Sequence, residues 1–544
     1  MSRLAGLDAR PVDALVVGGG MAGAGVAREL ALRGLSCVLV EKGDFASGTT
    51  SRSSKLIHGG LRYLELFDFG LVRESLRERE TLARLAPHLT RPLPFLAPVY
   101  RGASRSLIKV RVGMRLYDWL TPGKRTPRYR TLSPGEALAL EPTLRADDLL
   151  GAGYYFDDLL LSPERLCLEN VLSARRAGAT ALNYAQAEEL RPRPDGGWDV
   201  RVRDLVGGDV VTLAGHVLVN AAGPWVDRLR ELAGLAEAGP RLLRTTKGAH
   251  LVLPRLTERA VYLSTQDDRM VFVIPWREFS LVGTTDTDFA DNPDRVWASA
   301  EEVRYLLAET RRILTDPRID ESSVVYTYAG IRPLTSEGAS SGKRASAVSR
   351  QHRVVAEGPG DDFLSITGTK LTCYRSLAER VGDAVVRRLG RGGPSGSGRR
   401  RLDGSDEETG ALEVRAWLDV TEAVRASGLE PGQVESLVAT YGRRAAAILD
   451  LARRLPGGTE RLCKSAPDIA AQLHWAVEAE LTVSLQDFLL RRTGIGTGPC
   501  LGLDCAAAIA GRMGALLGWS GRRADAELDA YQAAVRQGLR FRAG

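Results

Sequence analysis

The chain has 544 residues, 44% hydrophobic and 26% charged, a composition of soluble type in a chain too long for one core, so two or three domains are expected. Its formal charge of +7 favours acidic partners (nucleic acid, anionic lipid heads or phosphorylated substrates), with an arginine-rich compositional bias as the bland alternative. No run of about 18 uncharged apolar residues occurs, Asp8, Arg10 and Asp13 interrupt any signal-peptide pattern at the start, and the cysteines (Cys37, Cys167, Cys373, Cys463, Cys500, Cys505) are scattered without a CxxC pair, so a spanning helix and a disulfide framework are excluded and a reducing compartment fits.

Asp13 to Val17 is a short apolar run, as in a buried parallel strand. Gly18-Gly-Gly-Met-Ala-Gly23 follows, then a helical pattern from Ala24 to Arg33 and a second apolar run, Ser36 to Val40, closed by Glu41. A GxGxxG between a strand and a helix, with an acidic residue ending the next strand, marks a dinucleotide-binding βαβ unit. The glycines admit a pyrophosphate to the helix N-terminus and Glu41 accepts from a ribose hydroxyl. The motif alone does not separate FAD from NAD.

Asp44 to Gly60 is Gly/Ser/Thr-rich and without periodicity, as functional loops are. Its end, Ser51 to Leu64, gathers Lys55, His58, Arg62 and Tyr63 around Gly59-Gly60, a set suited to holding an anion beside a reactive ring. The plain alternative is a basic surface loop. Leu61 to Leu85 is expected as one amphipathic helix, and the proline-broken Arg91 to Tyr100 as an edge strand or extended segment. Ser104 to Leu120 is apolar on one side, carries Arg105, Lys109, Arg111 and Arg115, and ends in Tyr117 and Trp119. That suits an interfacial helix on an anionic membrane, or else a core helix with a basic outer face.

Tyr154 to Leu161 reads as a strand, and Ser162-Pro163 caps a helix through Ala177. Trp198–Val202 and Val210–Leu213 form a β-pair, and His216 to Trp225 repeats the pattern of a strand running into small residues. Leu251 to Asp288 is strand-rich, as a substrate-covering antiparallel sheet would be. Ala298 to Leu314 is helical. Arg332 follows a strand, Arg350 a polar loop, and Phe363 to Lys370 is a strand and tight turn that offers the Gly368 and Thr369 N–H groups at a helix start. Gly390 to Arg401 reads as a linker, and the alanine- and leucine-rich remainder as a separate helical domain.

In this order the motifs resemble the FAD-dependent, aerobic-type glycerol-3-phosphate dehydrogenases of the D-amino-acid-oxidase-like flavoprotein group. The most specific stretch is Ser53-Ser-Lys-Leu-Ile-His-Gly-Gly-Leu-Arg-Tyr-Leu-Glu65. Asn220 to Val226, Lys247-Gly-Ala-His250, Val271 to Trp276, Gly283-Thr-Thr-Asp286, Gly330 to Leu334 and Gly368 to Thr372 support it. In the last domain only Ala439 to Gly442, Glu478 to Leu481 and Arg491-Arg-Thr493 match.

The resemblance implies an α/β fold: an FAD-binding Rossmann-like domain, a discontinuous antiparallel-sheet substrate domain and an all-α C-terminal domain. The boundaries expected are 1–90, 151–240 and 326–389 for the FAD-binding parts, 91–150 for a substrate- or membrane-facing insertion, and 241–325 for the substrate sheet. A linker, 390–410, then leads to the helical domain, 411–544. The implied activity is oxidation of sn-glycerol 3-phosphate to dihydroxyacetone phosphate, with non-covalent FAD and a membrane quinone as acceptor. The implied place is the cytoplasmic face of the membrane, held peripherally. The helical domain either caps the catalytic part or pairs subunits as a homodimer.

For the flavin, the resemblance implies Gly18, Gly20 and Gly23 at the pyrophosphate, Glu41 at the ribose, and Thr49, Thr50, Ser54 and Lys55 along the phosphate and ring approach. Ala222 and Gly223 pass beside it, and Gly368, Thr369 and Lys370 serve the ring's pyrimidine end. For the substrate, Arg62, Arg332, Arg350 and Lys370 are the candidate phosphate cations, with Tyr63 as hydroxyl donor. His58 is the natural base; the competing assignment has Arg332 or Lys370 stabilise an alkoxide while water or His58 takes the proton. No metal site is expected, since His58 and His88 lack ligand-spaced partners.

An oxygen-using oxidase shares every substrate motif and stays open. An amino-acid oxidase would need a carboxylate and amine pocket, which the cations disfavour. Nucleic-acid binding is not expected, because the basic residues are diffuse and lack interleaved aromatics.

Overall fold

The computed structural model describes residues 3–543 apart from 9, 236–238, 337–349, 369 and 406–418. Two sheets carry the catalytic part. In the eight-stranded one, Val12–Val17 lies in parallel register between Val210–Asn220 and Cys37–Val40, with Thr180–Leu182 beyond. Phe363–Thr367 adds in parallel on the other side of Val210–Asn220, and Arg353–Glu357 closes that edge. Side chains alternate across the central strand: Ala14 and Val16 face a core made with the helix Met21–Leu32, while Leu15 and Val17 face Trp198 and Phe363.

Pro163–Arg176 and Tyr374–Leu389 pack against Met21–Leu32. Gly25 makes room for this, since a Cβ there would sit 2.8 Å from the Tyr374 ring. Ser162 caps the Pro163–Arg176 helix by accepting from the Arg165 N–H, as its sequence signature predicts.

The ten-stranded sheet is mostly antiparallel and runs Thr287–Asp288, Leu243–Pro254, Phe279–Gly283, Met270–Trp276, Ala260–Ser264, Thr90–Tyr100, Leu149–Leu160, Leu56–Ile57. Tyr326–Thr335 joins it beside Leu243–Pro254, so Arg332 sits within a strand rather than after one. Leu149–Leu160 and Tyr326–Thr335 therefore serve the second sheet, whereas the sequence boundaries put most of the first and all of the second with the FAD-binding parts.

Several expectations need correction. The helix expected over Leu61 to Leu85 is two, Arg62–Glu65 and Phe69–Leu85, because Phe67 takes φ +57° and Asp68 caps the second by accepting from the Leu71 N–H. Thr90–Tyr100 is an interior strand, not an edge. Its prolines, Pro92, Pro94 and Pro98, share one parity, so their missing N–H groups fall on one side, where the neighbour pairs only at Phe95 and Leu96. Val210–Asn220 is one strand whose first half pairs Trp198–Asp204 and whose second half enters the parallel sheet.

The supposed linker is packed as far as it is described. Arg28 donates to the Ser397 and Arg400 carbonyls, the Leu402 side chain is buried in the core, and the Leu402 N–H and Ser405 hydroxyl both donate to Leu85 O.

The helical domain docks on the loop that follows Cys37–Val40. Asp44 is buried there and accepts from Arg492 twice, at 2.8 Å, and from Arg491 at 2.5 Å. Burial pushes its carboxyl up, but the two guanidinium groups outweigh this and bring it down to about 2. This gives a structural reason for the Arg491-Arg492 pair: it clamps the start of the loop that carries the site.

Candidate active site

A cavity of about 1160 Å³ runs from the N-terminus of the Met21–Leu32 helix to the face of the second sheet. It exceeds the usual span of a drug-sized ligand pocket. At its first end, Gly18 takes φ +113° and a Cβ there would lie 2.5 Å from the Ala221 carbonyl oxygen. A Cβ on Gly23 would overlap the Gly18 carbonyl oxygen itself, so Gly23 shapes the turn without lining the cavity. The Met21 N–H donates to Thr50 Oγ1 at 3.0 Å, and the cavity opens over Gly18, Gly20 and Thr50.

Glu41 accepts from the Gly19 N–H at 2.6 Å and the Gly43 N–H at 2.8 Å. Burial raises its carboxyl above the ordinary range, against those two bonds. Each oxygen keeps a lone pair for a ribose hydroxyl. Thr49 donates to Ile331 O at 2.7 Å, which ties this end to the second sheet. Ala222 and Gly223 line the wall, and beside them the Trp225 indole N–H is buried without a partner among the described residues. A glycine cradle at a helix N-terminus, an acidic acceptor and an unpartnered donor fit a bound dinucleotide.

At the other end the loop crosses between sheets, with Leu56 and Ile57 pairing onto Leu159 and Asp158. Lys370, buried, donates to His58 O at 2.8 Å, Gly59 O at 3.0 Å and Ser75 Oγ at 2.9 Å. An ammonium has three donors, so Lys370 fastens the loop and has none left for a substrate phosphate. Burial lowers it to about 8. The Gly59 N–H donates to the Tyr117 hydroxyl at 2.7 Å, which itself donates to Asp157. Gly60, at φ +82°, leaves no room for a Cβ against the Tyr63 ring.

These anchors hold the half-buried His58 imidazole at the cavity wall. Burial, then the charges of Lys370 and Arg350, push it well below the ordinary imidazole range, so it is neutral at neutral pH.

Around Asp286 stand three arginines. Arg332 is bound to Asp286 at 3.0 Å, Thr284 Oγ1 at 3.0 Å and Thr285 O at 2.9 Å. Burial first, then Arg350, brings it down to about 10. Arg350 lies 4.0 Å from Asp286 and bonds Tyr63. Arg62 is half-buried and outside the lining, yet in electrostatic reach of Arg350 and Asp286, and its side chain makes no hydrogen bond to a described residue. Among the described residues, three guanidinium groups share this one carboxylate, which leaves a net positive field beside the neutral imidazole.

Other expected residues lie elsewhere. Lys55 is buried away from the cavity, 3.3 Å from Glu164 and over the Trp276 ring, so it cannot line the phosphate approach. Ser54 does line the cavity and contacts His250 Nε2 at 2.8 Å. The Gly368 N–H is not free, since it donates to Pro333 O at 2.8 Å. Thr369 lies outside the described residues.

Sequence reasoning gave no role to His250 or Asp286, both inside quoted motifs. His250 stacks on Tyr328 at 4.8 Å and is lowered to about 3 by burial, Arg332 and Lys55. Only their place in those motifs, with Gly248 and Gly283 beside them, could have signalled either.

Comparison with known proteins gives the same picture. The family described as "FAD dependent oxidoreductase" matches residues 13–374, and the "C-terminal domain of alpha-glycerophosphate oxidase" matches residues 397–524. The chain is similar to a glycerol-3-phosphate dehydrogenase of Synechocystis sp., 38% identical over 96% of each chain. Another from Mycobacterium leprae is 36% identical over 96% of this chain and 88% of that one. The structure of the glycerol-3-phosphate dehydrogenase from Bacillus halodurans complexed with FAD superposes with a TM-score of 0.80 at 28% identity, covering 98% of this chain and 96% of that one. The L-alpha-glycerophosphate oxidase of Mycoplasma pneumoniae, at 19% identity and a TM-score of 0.56, shares the fold over 72% of this chain and 99% of its own. The chain belongs to the FAD-dependent glycerol-3-phosphate dehydrogenase family of D-amino-acid-oxidase-like flavoproteins, and its cofactor is FAD.

Proposed function

We propose that this enzyme oxidises sn-glycerol 3-phosphate to dihydroxyacetone phosphate and passes the electrons to a membrane quinone. FAD, when bound, accepts the hydride from the carbinol carbon. The observation that carries the proposal is the excess of guanidinium charge around Asp286 next to the neutral His58 imidazole. Arg350, on the cavity wall, takes the phosphate and Arg62 adds its charge from behind the lining, because Arg332 is already committed to strand and carboxylate. Binding there fixes the carbinol against His58, so binding energy is used for orientation. His58 receives the hydroxyl proton on its free imidazole nitrogen.

Mixing the purified protein with sn-glycerol 3-phosphate under argon should bleach its yellow colour within the dead time of manual mixing. A quinone analogue should restore the colour and air should not. Protein that stays yellow under argon sinks the substrate assignment. The second reading is an oxidase, favoured by the name of the domain matched at residues 397–524. Rapid recovery in air alone would establish it.

The quinone calls for a membrane, and the Leu107–Trp119 helix offers the contact. Ile108, Val112 and Trp119 are exposed, Trp119 at 80%, on one stripe with Arg111 and Arg115. Phe67, 78% exposed, lies in the turn just after Glu65, and Glu65 is held to the start of this helix by Arg105, two residues before it, at 2.7 Å and by Lys109 within it at 3.6 Å. Tyr117, expected among the interfacial aromatics, instead turns inward to Gly59 and Asp157. No described helix is long and apolar enough to cross a membrane. We place the enzyme peripherally on the cytoplasmic face. It should sediment with vesicles containing anionic lipid and be released by salt, each basic contact being worth about 1 kcal/mol. Trp119→Ala combined with Arg111→Ala and Arg115→Ala should stay in the supernatant with FAD bound. Equal sedimentation of that variant would remove this helix as the contact.

A further inference from the structure

Cysteines that are scattered in the sequence converge in the helical domain. Cys463 lies in the loop ahead of the Ala470–Ala479 helix, and Cys500, Asp504 and Cys505 lie just before the Ala506–Leu517 helix. Cys463 Sγ is 3.4 Å from Cys500 Sγ and 3.6 Å from Asp504 Oδ1. The ligand atoms of Cys463, Cys500 and Asp504 all lie within 4.8 Å of one another. Cys505 Sγ contacts Gly502 O at 3.5 Å and is in electrostatic contact with Cys463, Cys500 and Asp504. Ser465 Oγ is 2.9 Å from Cys500 Sγ.

The spacings of Cys463, Cys500 and Asp504 are those of a metal site, and Cys505, outside that mutual 4.8 Å set, is the adjacent thiol that would complete it. With Zn–S near 2.3 Å and Zn–O near 2.1 Å, tetrahedral donors stand roughly 3.8 Å apart for two sulfurs and roughly 3.6 Å apart for sulfur and oxygen. Two alternatives fit less well. Buried cysteines serving as small apolar residues would account for Cys463 and Cys505 in the domain core and for Cys500 packed at its edge, but not for exposed Asp504, whose Oδ1 is turned to 3.6 Å from Cys463 Sγ. A Cys463–Cys500 disulfide would use two of the four donors and leave the carboxylate and the third thiol without a purpose. The exposed side of the cluster gives an ion its way in.

We propose that Cys463, Cys500, Asp504 and Cys505 bind a single structural Zn2+ ion, at a place where the scattered spacing of the cysteines raises no expectation of one. The thiols bind as thiolates and release their protons to solvent on loading. No electron transfer is involved, since zinc has no redox chemistry. The ion joins two loops of the domain core. The second of these begins near Gly494 and Thr497, where Arg277 of the substrate sheet donates at 3.3 Å and 3.0 Å. Zinc therefore braces the domain contact and lies outside the reaction.

The full-length, FAD-loaded protein, purified without added chelator, is analysed for metal and for free thiols under denaturing alkylation. The expected result is about one zinc per chain, with Co2+ in zinc-free medium giving a thiolate-to-cobalt charge-transfer band. Cys500→Ser with Asp504→Asn, both on the open side, should lower zinc content at least about tenfold and abolish the cobalt band while keeping FAD. Chelator should lower the melting temperature of the parent and not of that variant. Three results would overturn the proposal: protein without bound metal that also fails to take up Co2+, a Cys463–Cys500 disulfide, or two irons with acid-labile sulfide in place of zinc.

Discussion

His58→Ala is expected to purify yellow, with FAD bound, and to turn over sn-glycerol 3-phosphate about 10²–10⁴-fold more slowly than the parent. The imidazole meets the Phe272 ring edge-on at 6.2 Å, which is a weak tie beside the loop's hydrogen bonds. His58 is fastened through its backbone, by Lys370 on its carbonyl and Thr372 on its N–H, so removing the ring leaves the anchors in place.

The pH profile provides a second readout. Burial, then Lys370 and Arg350, lower the His58 pKa, so the base is deprotonated at every pH above that lowered value. The profile of kcat/KM should stay level as the pH falls past the ordinary imidazole value of about 6.5 and drop only as it crosses the lowered one. Arg350→Ala removes one of the charges responsible. Its acid limb should move up toward the ordinary value while KM rises. The rival assignment, an alkoxide stabilised by Arg332 with water taking the proton, foresees a small effect of His58→Ala and a large one of Arg332→Ala. An unmoved acid limb in Arg350→Ala, together with near-parental His58→Ala turnover, would decide for it.

What could be read from the sequence, and what could not, divides along a physical line. The Val12–Val40 βαβ unit was legible because its signals are local: an apolar run, glycines at fixed spacing, an acid at the next strand's end. The importance of Ser51–Leu64 was also legible, from its density of donors. The roles of its members were not. Lys55 and Lys370 look alike as cations in a motif, yet burial against Glu164 makes one an internal ion pair, and three loop acceptors make the other a clamp. Only the tertiary fold decides which charges are spent and which are free. The same holds for Gly368, whose N–H goes to a neighbouring strand, and for Cys463 and Cys500, far apart in the chain but 3.4 Å apart between sulfurs. Gly390 to Leu402 has the composition of a linker, but Arg28 and Leu85 hold its carbonyl and N–H groups.

Gly23→Ala is expected to yield a folded protein that purifies nearly colourless. A Cβ at this position meets the Gly18 carbonyl oxygen, a backbone atom that no rotamer change can move. Gly18 in turn cannot retreat, because the space behind its own α-carbon is taken by the Ala221 carbonyl. The turn must therefore open or the Met21–Leu32 helix must shift from the strand. Both moves take the helix N-terminus away from where a pyrophosphate would sit. Overpacking of this kind costs about 1–3 kcal/mol. If the cost falls on the loaded state, FAD affinity drops about 5- to 150-fold.

Gly135→Ala is the matched control, since its Cβ would meet nothing within 4 Å, and it should keep parental colour and turnover. Titrating apo-protein with FAD, followed by quenching of flavin fluorescence, measures both variants. Parental affinity in Gly23→Ala would mean that the glycine serves helix packing alone. Loss of far-ultraviolet helical signal in the same variant would assign the defect to folding instead. The expected result, weak FAD binding by a chain of unchanged helical content, places the requirement for glycine at the cofactor turn.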